Sequence, residues 1–522
     1  MADTNRWGIL GCGRISGRFS EGLAMVPGNK LVAVACRSEK KGHDFAERFG
    51  VAAEGVYTGE AFGGDTDKAY RELLKRPDID AVYIALPNTL HYPWTIEALK
   101  VGKDVLCEKP AFLSADDATE VKAFAQSHGR LFMEAIKSRF TPCYREVKQA
   151  VESGEIGTIT DVDVCFCCNI WQSMLEVKNF RCAPTQKGGG ALLDCGTYCA
   201  SLINDFVPQG KLSFETFSGI VKTAQNPAAP TGIFAPDGER VDIYTDVRFK
   251  RAGIPAHLEC GYDREKPCTA VLNGTRGSII IDNMHRAAHA TIKEDDGEDR
   301  ILYYPMRSEG ADFSYEIAHF CDLKKQGIKE SPIMSLSATA EDATLLHQVW
   351  QRFSTKSENL KVLERQEHDL VYKQFGSHEA LELGDAVAYF ARHAERGIGV
   401  QITRESDGLV LFQWMDDDKA VRNLGFMQTK REAVLKTGHS SLWACLSQGT
   451  TDAIPVAGGA FPIRVASSDG SAPKQVATLS ISGLHEGRDH ELCVRSLAWV
   501  LSKRYGGDGF DGRVPAFLGV SI

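Results

Sequence analysis

The sequence predicts an α/β protein built from three consecutive domains, and three observations lead to this prediction. Between Arg6 and Pro110, strand-like apolar runs alternate with helix-like runs, which is typical of a parallel sheet wound with helices. Between Thr158 and Asp282 the runs are short and alternate apolar with polar residues, which predicts an open, mostly antiparallel sheet in an α+β domain. After Phe353 a polar stretch precedes a new series of helix-like and strand-like runs, which indicates a third, α/β domain.

The composition limits the classes of function. The chain has 522 residues, enough for about three domains, and its hydrophobic content of 43% is ordinary for a globular protein. A net charge of −9 without any Lys/Arg-rich block argues against a nucleic-acid partner, and no run of 18 apolar residues predicts a membrane span. Fifteen cysteines without a secretion signal predict reduced thiols and a cytoplasmic location.

The first strand-like run, Arg6–Leu10, leads into the pattern G-x-G-x-x-S and then into a helix-like run. Gly11 permits a tight turn, Gly13 lets a pyrophosphate approach the main chain, and the small Ser16 lets the helix pack close to the strand. The helix N-terminus at Arg14 and Ile15 offers unpaired N–H groups to phosphates. This stretch therefore predicts a dinucleotide-binding Rossmann fold.

The second strand ends at Cys36, where an NAD-selective site usually carries an acidic residue for the ribose. This chain has Arg37 and Ser38 instead, and a guanidinium with a hydroxyl suits a 2′-phosphate. We therefore expect NADP as the cofactor. Glu39 is an acidic residue and favours NAD. The alternative interpretation is that the charged residues after this strand are only a solvated surface run.

Two further strands are followed by polar residues at the same predicted edge of the sheet. Ile79–Leu86 is followed by Asn88 and His91, and Lys103–Cys107 is followed by Glu108 and Lys109. Ligands of parallel sheets bind beyond the carboxyl ends of the strands. We expect Leu86, Asn88, His91, Glu108 and Lys109 to join the glycine loop in one cofactor site.

These motifs together carry a resemblance to a known family. The set G-x-G-x-x-S, Leu86-Pro87-Asn88-x-x-His91 and Cys107-Glu108-Lys109-Pro110 resembles the Gfo/Idh/MocA oxidoreductases, and further motifs extend the match over about residues 5–353. The resemblance implies an NADP-binding Rossmann domain over 1–128 and a substrate and dimerisation domain over 129–353. The chain is most similar to the dihydrodiol dehydrogenase and D-xylose dehydrogenase branch, because Tyr198 stands where many other branches carry His.

The resemblance implies hydride transfer with Lys109, Tyr198 and Asp194 as catalytic residues. A tyrosine has an ordinary pKa of about 10, and a nearby lysine ammonium lowers it. Asp194 lies one helical turn before Tyr198, where it can orient the phenol or bind a substrate hydroxyl. From the residues alone, a core tyrosine with a satisfied hydroxyl is the alternative.

The substrate is expected to be a polyol, namely a D-xylose-like sugar giving its lactone or a cyclic trans-dihydrodiol. Polar residues in the second domain suit hydroxyl groups, and an aromatic residue can stack on a ring. The expected substrate set is Trp171, Asn179, Arg181, Asp194 and Tyr198.

Six cysteines lie close together in the second domain. Because the run Cys165-Phe166-Cys167-Cys168 has the spacing C-x-C-C rather than the C-x-x-C pairing of a structural zinc site, buried thiols are favoured, and no metal is expected. They are Cys165, Cys167, Cys168, Cys182, Cys195 and Cys199.

The C-terminal third is expected to be a separate domain. A polar linker is predicted over 354–361, and Ser377 can cap a helix that runs to Arg396. Motifs that include Gly438-His439-Ser440-Ser441 and Asp489-His490-Glu491 make residues 362–522 resemble the UPF0303 proteins, which look related to haem-degrading HbpS-like domains. His439 and His490 could bind a ligand, but a cap or a paired histidine is the commoner role.

The sequence thus predicts an NADP-dependent dehydrogenase that forms a homodimer or a larger homo-oligomer. The resemblance of the C-terminal domain implies that it assembles subunits. A non-enzymatic nucleotide-binding sensor or scaffold, with the C-terminal module for assembly or haem binding, is the alternative. The presence of both Lys109 and Tyr198 favours the enzyme.

Overall fold

The computed structural model describes residues 4–223, 239–295, 297–353, 356–392, 397–417, 422–448, 458–484 and 488–506. The chain forms two compact units. The first consists of Met1–Phe217 and Val241–Arg352, and the second of Ser218–Arg240 and Phe353–Ile522.

The first unit begins with a six-stranded parallel sheet in the order β3-β2-β1-β4-β5-β6. Its strands are β1 (Asn5–Leu10), β2 (Asn29–Cys36), β3 (Val56–Thr58), β4 (Ala81–Ile84), β5 (Asp104–Glu108) and β6 (Phe132–Ala135). Its helices are α1 (Arg14–Ala24), α2 (Glu39–Phe49), α3 (Thr66–Leu74), α4 (His91–Lys100) and α5 (Ala115–Ser127). This strand order confirms the predicted Rossmann fold. Successive strands are added to one side of β1 as far as β3 and to its other side from β4 onward, and such folds bind dinucleotides at the point between β1 and β4 where the order switches.

The second sheet has eight strands in the order β14-β13-β12-β11-β7-β10-β9-β8. They are β7 (Ile159–Cys167), β8 (Leu212–Thr223), β9 (Arg240–Arg251), β10 (Ile254–Gly261), β11 (Thr269–Gly274), β12 (Gly277–Asp282), β13 (His289–Glu294) and β14 (Arg300–Tyr303). The pairs from β14 to β9 are antiparallel except for the parallel pair β7 and β10. The predicted open, mostly antiparallel sheet is confirmed.

Five further helices complete this unit: α6 (Pro142–Glu152), α7 (Trp171–Glu176), α8 (Ala191–Phe206), α9 (Ala311–Gln326) and α10 (Leu336–Trp350). Helix α8 lies against β7 and β10, while α9 returns to the Rossmann sheet beside α1. Phe313, Ile317 and Phe320 of α9 are fully buried in the same core as Trp7 of β1. Residues far apart in the sequence are thereby fixed at one end of the parallel sheet.

The second unit contains a five-stranded sheet in the order β15-β18-β19-β16-β17. Its strands are β15 (Val371–Tyr372), β16 (Gly399–Arg404), β17 (Val410–Met415), β18 (Ala460–Val465) and β19 (Lys474–Ser482). Its helices are α11 (Lys356–Asp369), α12 (Ser377–Ala391), α13 (Arg422–Thr437), α14 (Ser441–Gln448) and α15 (Arg488–Tyr505). This arrangement confirms the predicted third α/β domain.

Two local predictions for this unit differ from the structure. Most of the expected linker 354–361 lies in α11, because Leu363 on that helix is buried against Leu442 and Leu446. At the start of α12 the Glu379 carboxylate accepts the Gly376 N–H at 2.8 Å, so Glu379 rather than Ser377 supplies the cap. The helix ends at Ala391, and the predicted end at Arg396 lies outside the described residues.

Both histidines considered as ligands in this unit have protein partners. His439 Nδ1 lies 2.8 Å from a Glu367 carboxylate oxygen, and its ring stacks on Trp443 with the centroids 3.9 Å apart. His490 is fully buried, with Nε2 2.8 Å from Gln366 Oε1. Paired histidines were the commoner of the two expectations, and the structure agrees with it.

No helix within the described ranges is both long enough and apolar enough to cross a bilayer.

Candidate active site

The glycine loop between β1 and α1 has the geometry of an anion site. Gly11 has a φ of +99°, and a Cβ there would lie 2.4 Å from the Ala85 carbonyl oxygen. Ser16 is buried, and its hydroxyl donates to the Gly11 carbonyl at 2.5 Å. The space beside Gly13 is open to 4 Å, and no side chain caps α1. The first-turn N–H groups are therefore available to a phosphate.

A cavity of about 1170 Å³ extends from this loop to α8 and lies wholly within the first unit. It brings together most of the residues predicted from the sequence. These are Gly11, Gly13, Arg14, Ile15, Arg37, Ser38, Leu86, Asn88, His91, Glu108, Lys109, Asn179, Arg181 and Asp194. Ser16, Trp171 and Tyr198 do not line it; Ser16 lies behind the loop, and both aromatic residues are buried.

The end of the cavity beyond β2 carries charges of both signs. Arg37 is exposed there, close to Ser38 and Lys41. The sequence analysis missed Glu60, which lines the cavity from the turn after β3 and accepts the Glu39 N–H at 2.7 Å. Glu60, not the Glu39 side chain, therefore places a carboxylate at this end.

Three predicted cofactor residues hold the neighbouring loops together. Asn88 Nδ2 donates to the Gly188 carbonyl at 2.7 Å. His91 is buried between the carbonyls of Leu86 and Pro110, and burial lowers its pKa to about 4. The Glu108 carboxylate accepts the Tyr83 hydroxyl, and burial raises the pKa of Glu108. These contacts set the shape of the cavity floor.

Lys109 and Asp194 form an ion pair in the middle of the cavity wall. Lys109 Nζ contacts the Asp194 carboxylate and lies 2.8 Å from the Asp194 carbonyl oxygen. The other carboxylate oxygen is 2.7 Å from Arg181 Nε and accepts the Tyr262 hydroxyl at 2.9 Å. Burial would raise the pKa of Asp194, but Lys109 and Arg181 outweigh burial and hold that pKa well below its usual range. Asp194 is therefore a carboxylate held by two cations.

Tyr198 lies one turn further along α8, behind this ion pair. The centroid of its ring is 4.9 Å from Lys109 Nζ and 4.9 Å from Nζ of a second lysine, Lys137. Burial raises the pKa of Tyr198 well above its usual value, and the carboxylates of Glu108 and Asp194 add to the rise. This direction is opposite to the one expected from the sequence, because Lys109 is paired with Asp194 and burial dominates.

The sequence analysis missed the hydrogen-bond partner of the Tyr198 hydroxyl. Lys137 Nζ donates to the phenolic oxygen at 3.2 Å and to the His285 carbonyl at 2.8 Å. Lys137 follows β6 directly, so the rule that ligands lie beyond strand ends could have singled it out. Asp312, 3.4 Å from Lys137, comes from α9, and no local pattern places it there.

Comparison with known proteins then gives the family. The description "Oxidoreductase family, NAD-binding Rossmann fold" matches residues 5–136, and "GFO/IDH/MocA C-terminal domain" matches residues 144–280. The trans-1,2-dihydrobenzene-1,2-diol dehydrogenase of Xenopus laevis is 30% identical over 353 residues, which are 66% of this chain and 97% of that protein. The chain belongs to the Gfo/Idh/MocA oxidoreductase family. The human enzyme of the same name is 27% identical over 351 residues, 66% of this chain and 95% of that protein.

Solved structures share the fold of the first two thirds of this Gfo/Idh/MocA chain. KijD10, a 3-ketoreductase from Actinomadura kijaniata in complex with NADP and TDP-benzene, is 25% identical with a TM-score of 0.55, covering 67% of this chain and 98% of that one. An aldose-aldose oxidoreductase from Caulobacter crescentus shares the fold at 21% identity, with a TM-score of 0.55 and coverage of 67% and 97%.

The C-terminal region of this Gfo/Idh/MocA chain matches a different description. Residues 375–498 match "Haem degrading protein HbpS-like". Both resemblances inferred from the sequence motifs are therefore confirmed.

The cysteines of this Gfo/Idh/MocA chain are packed as thiols. Of the six clustered ones, Cys168 is partly exposed and the others are buried. Within the described ranges, a group with metal-ligand spacing occurs elsewhere, at Asp246, His257 and Glu259. Burial would lower the pKa of His257, but hydrogen bonds to Asp163 and Asp246 raise that pKa to about 9. A doubly protonated ring has no lone pair to offer a metal.

Proposed function

We propose that this protein is an NADP-dependent oxidoreductase that transfers hydride between a CH–OH group and the nicotinamide. The substrate proposed is a D-xylose-like sugar, oxidised to its lactone, or a cyclic trans-dihydrodiol. The single observation that carries the proposal is the cavity itself, because it joins an anion-binding loop to a polar wall with Lys109 and Asp194 between them. Membership of the Gfo/Idh/MocA family supports the same chemistry.

The residues present fit a dinucleotide. The open space beside Gly13 and the uncapped start of α1 suit the pyrophosphate. The exposed Arg37 and Lys41, with Ser38, suit the adenosine end, and they favour NADP because a cation pairs with a 2′-phosphate. Glu60 and Asp67, which both line the cavity, oppose this preference, since a carboxylate repels a phosphate.

The opposite end of the cavity supports a polyhydroxylated substrate. Asn179, Arg181 and Asp194 present an amide, a guanidinium and a carboxylate, which can each bind hydroxyl groups. Phe180 lines the same region with 39% of its surface exposed, and it offers a face for a sugar or diene ring. Trp171 is buried, so Phe180 is the better candidate for stacking.

The nicotinamide supplies the hydride chemistry when it is bound. The chain must hold the substrate oxygen and move one proton. The Lys109 ammonium lines the cavity and can stabilise negative charge on that oxygen. Because the raised pKa keeps Tyr198 a neutral phenol, its hydroxyl is a proton donor in the direction of reduction and must first lose its proton to act as a base in oxidation.

The experiment is a panel of aldoses and trans-diols, with NADP and NAD in parallel, followed at the nicotinamide absorbance band. The wild type is expected to turn over at least one sugar or diol with NADP, and Tyr198→Phe is expected to lose most of that turnover while it still binds NADPH. Turnover of Tyr198→Phe equal to that of the wild type would contradict the role of the phenol. If neither cofactor supports turnover of any member, the proposed substrate classes are wrong.

A further inference from the structure

Beside the Tyr198 hydroxyl lies a buried lysine that the proposed chemistry has not yet used. Lys137 is 3% exposed, and its Nζ has three partners: the Tyr198 hydroxyl at 3.2 Å, the His285 carbonyl at 2.8 Å and the Asp312 carboxylate at 3.4 Å. An ammonium has three N–H donors and no acceptor, so these three contacts fix its orientation.

We propose that Lys137 is the positioning residue of Tyr198 and that it makes this phenol usable as an acid and a base. The inference rests on the proposed dehydrogenase function. Because the phenolic oxygen accepts the Lys137 N–H, the hydroxyl proton points away from Lys137 and is free to be donated to another acceptor.

The same contact stabilises the charge that develops on Tyr198. As the phenol gives its proton to the substrate oxygen, negative charge grows on the phenolic oxygen, and a hydrogen bond from an ammonium strengthens. The proton moves from Tyr198 to the substrate oxygen in reduction and back in oxidation, while Lys137 keeps all three of its own. Without Lys137, the phenolate would form in a buried site beside carboxylates, at high cost.

The surroundings of Lys137 make its charge sensitive to pH. Burial lowers the pKa of Lys137, Asp312 opposes this and the nearby Arg18 adds to it, so that the pKa lies at about 8. The charged and titratable groups that face it are Asp312, Glu316 and Arg18 from α9 and α1, Glu108 from β5, Tyr198 from α8, and His285 and Arg286 from the turn before β13. Lys137 therefore carries its charge below about pH 8 and loses it above.

The first experiment follows Lys137 directly and needs no turnover. In protein labelled with 13C at the lysine ε-carbon, one lysine signal is expected to titrate near pH 8 and to be missing in Lys137→Met. Tyr198→Phe is expected to move its midpoint to lower pH, because the ammonium loses a hydrogen-bond acceptor. An unchanged midpoint in Tyr198→Phe would overturn the coupling, whether or not the protein is a dehydrogenase.

The second experiment measures kinetics on the substrate that the panel identifies. Lys137→Met is expected to lower kcat about 10- to 100-fold, the range for losing a hydrogen bond to a charged group, with KM and NADPH affinity little changed. In the wild type kcat is expected to fall above about pH 8, and in Lys137→Arg this fall should disappear, because arginine stays charged.

Lys103→Met is the matched control. Lys103 is also buried, and its Nζ donates to two backbone carbonyls, those of Arg76 at 2.6 Å and Ile79 at 2.9 Å, but it contacts no residue of the site. Its loss is expected to leave kcat and its pH profile unchanged. If Lys103→Met lowers kcat as much as Lys137→Met does, or if Lys137→Arg keeps the wild-type pH profile, the role assigned to Lys137 is wrong.

Discussion

His257 on β10 provides a test of the electrostatics that does not depend on catalysis. Its Nδ1 lies 2.9 Å from an Asp163 carboxylate oxygen and its Nε2 lies 3.0 Å from one of Asp246. Burial opposes the charged ring, but these two hydrogen bonds outweigh it and raise the pKa of His257 from 6.5 to about 9. The perturbation is His257→Gln, which removes the titrating group and keeps a polar side chain.

The magnitude follows from this rise in pKa. The pKa of His257 rises from 6.5 to about 9 on folding, and each pH unit corresponds to about 1.4 kcal/mol. The folded state therefore stabilises the protonated ring by about 3.5 kcal/mol relative to the neutral ring. Because the side chains of Asp163 and Asp246 are 44% and 34% exposed, solvent screens the pair, and we expect about 1–2 kcal/mol to remain. The folded pKa is the higher one, so this stability is fully present below about pH 6.5 and is lost as the pH rises through about 9.

The assay is the free energy of unfolding in urea at about pH 6 and about pH 10, for the wild type and His257→Gln. The difference in the free energy of unfolding between the wild type and His257→Gln is expected to be about 1–2 kcal/mol larger at the lower pH than at the higher pH. His43→Gln, at an exposed position on α2, is the control and should not change this difference. A difference between wild type and His257→Gln that stays constant or grows with pH would refute the reasoning.

Three further predictions concern the cofactor, the catalytic pair and the assembly. Arg37→Asp should weaken NADP binding far more than NAD binding, while Glu60→Gln should strengthen the binding of NADP and leave that of NAD unchanged. Titrations with both cofactors check this, and a wild type that uses NAD as well as NADP would contradict it. Lys109→Ala and Tyr198→Phe should each lower turnover severely, and the double variant should be little worse than either, since residues that act as a unit are not additive; losses that multiply would contradict a shared role. Light scattering of the full chain should give a homodimer or a larger homo-oligomer, and a monomer would contradict this.

Much of the cofactor site could be predicted because its causes are local. The turn at Gly11 needs a positive φ, and a few residues of sequence are enough to reveal it. The ends of β4 and β5 must lie at one edge because parallel strands place their carboxyl ends together, so Asn88 and Lys109 could be assigned to that edge. Asp194 and Tyr198 share a helix at a spacing of one turn, which also needs no tertiary information.

The parts that could not be predicted depend on packing between distant segments. Asp312 reaches Lys137 only because α9 packs on α1, and Glu60 reaches the cavity from a turn with no motif. The direction of the Tyr198 pKa depends on burial, which composition does not reveal. The helical state of most of the expected linker could not be predicted, because the polar residues of α11 conceal one apolar face, which only the contact of Leu363 with Leu442 makes visible.

The charges around Tyr198 explain why a buried phenol can serve this site. The carboxylate of Asp194 is shared by Lys109 and Arg181, and that of Asp312 is shared by Lys137, Arg18 and Arg286. Burial raises the pKa of Glu316, another neighbour of Lys137, well above its usual value. Each of these two carboxylates, Asp194 and Asp312, is therefore outnumbered by the cations it contacts. Burial makes a resting phenolate costly, so the hydroxyl of Tyr198 is neutral before the reaction. The fixed positive charges therefore have their largest effect when negative charge develops on the phenolic or substrate oxygen during proton transfer. Interactions that are stronger in the transition state than in the resting state are the ones that accelerate a reaction.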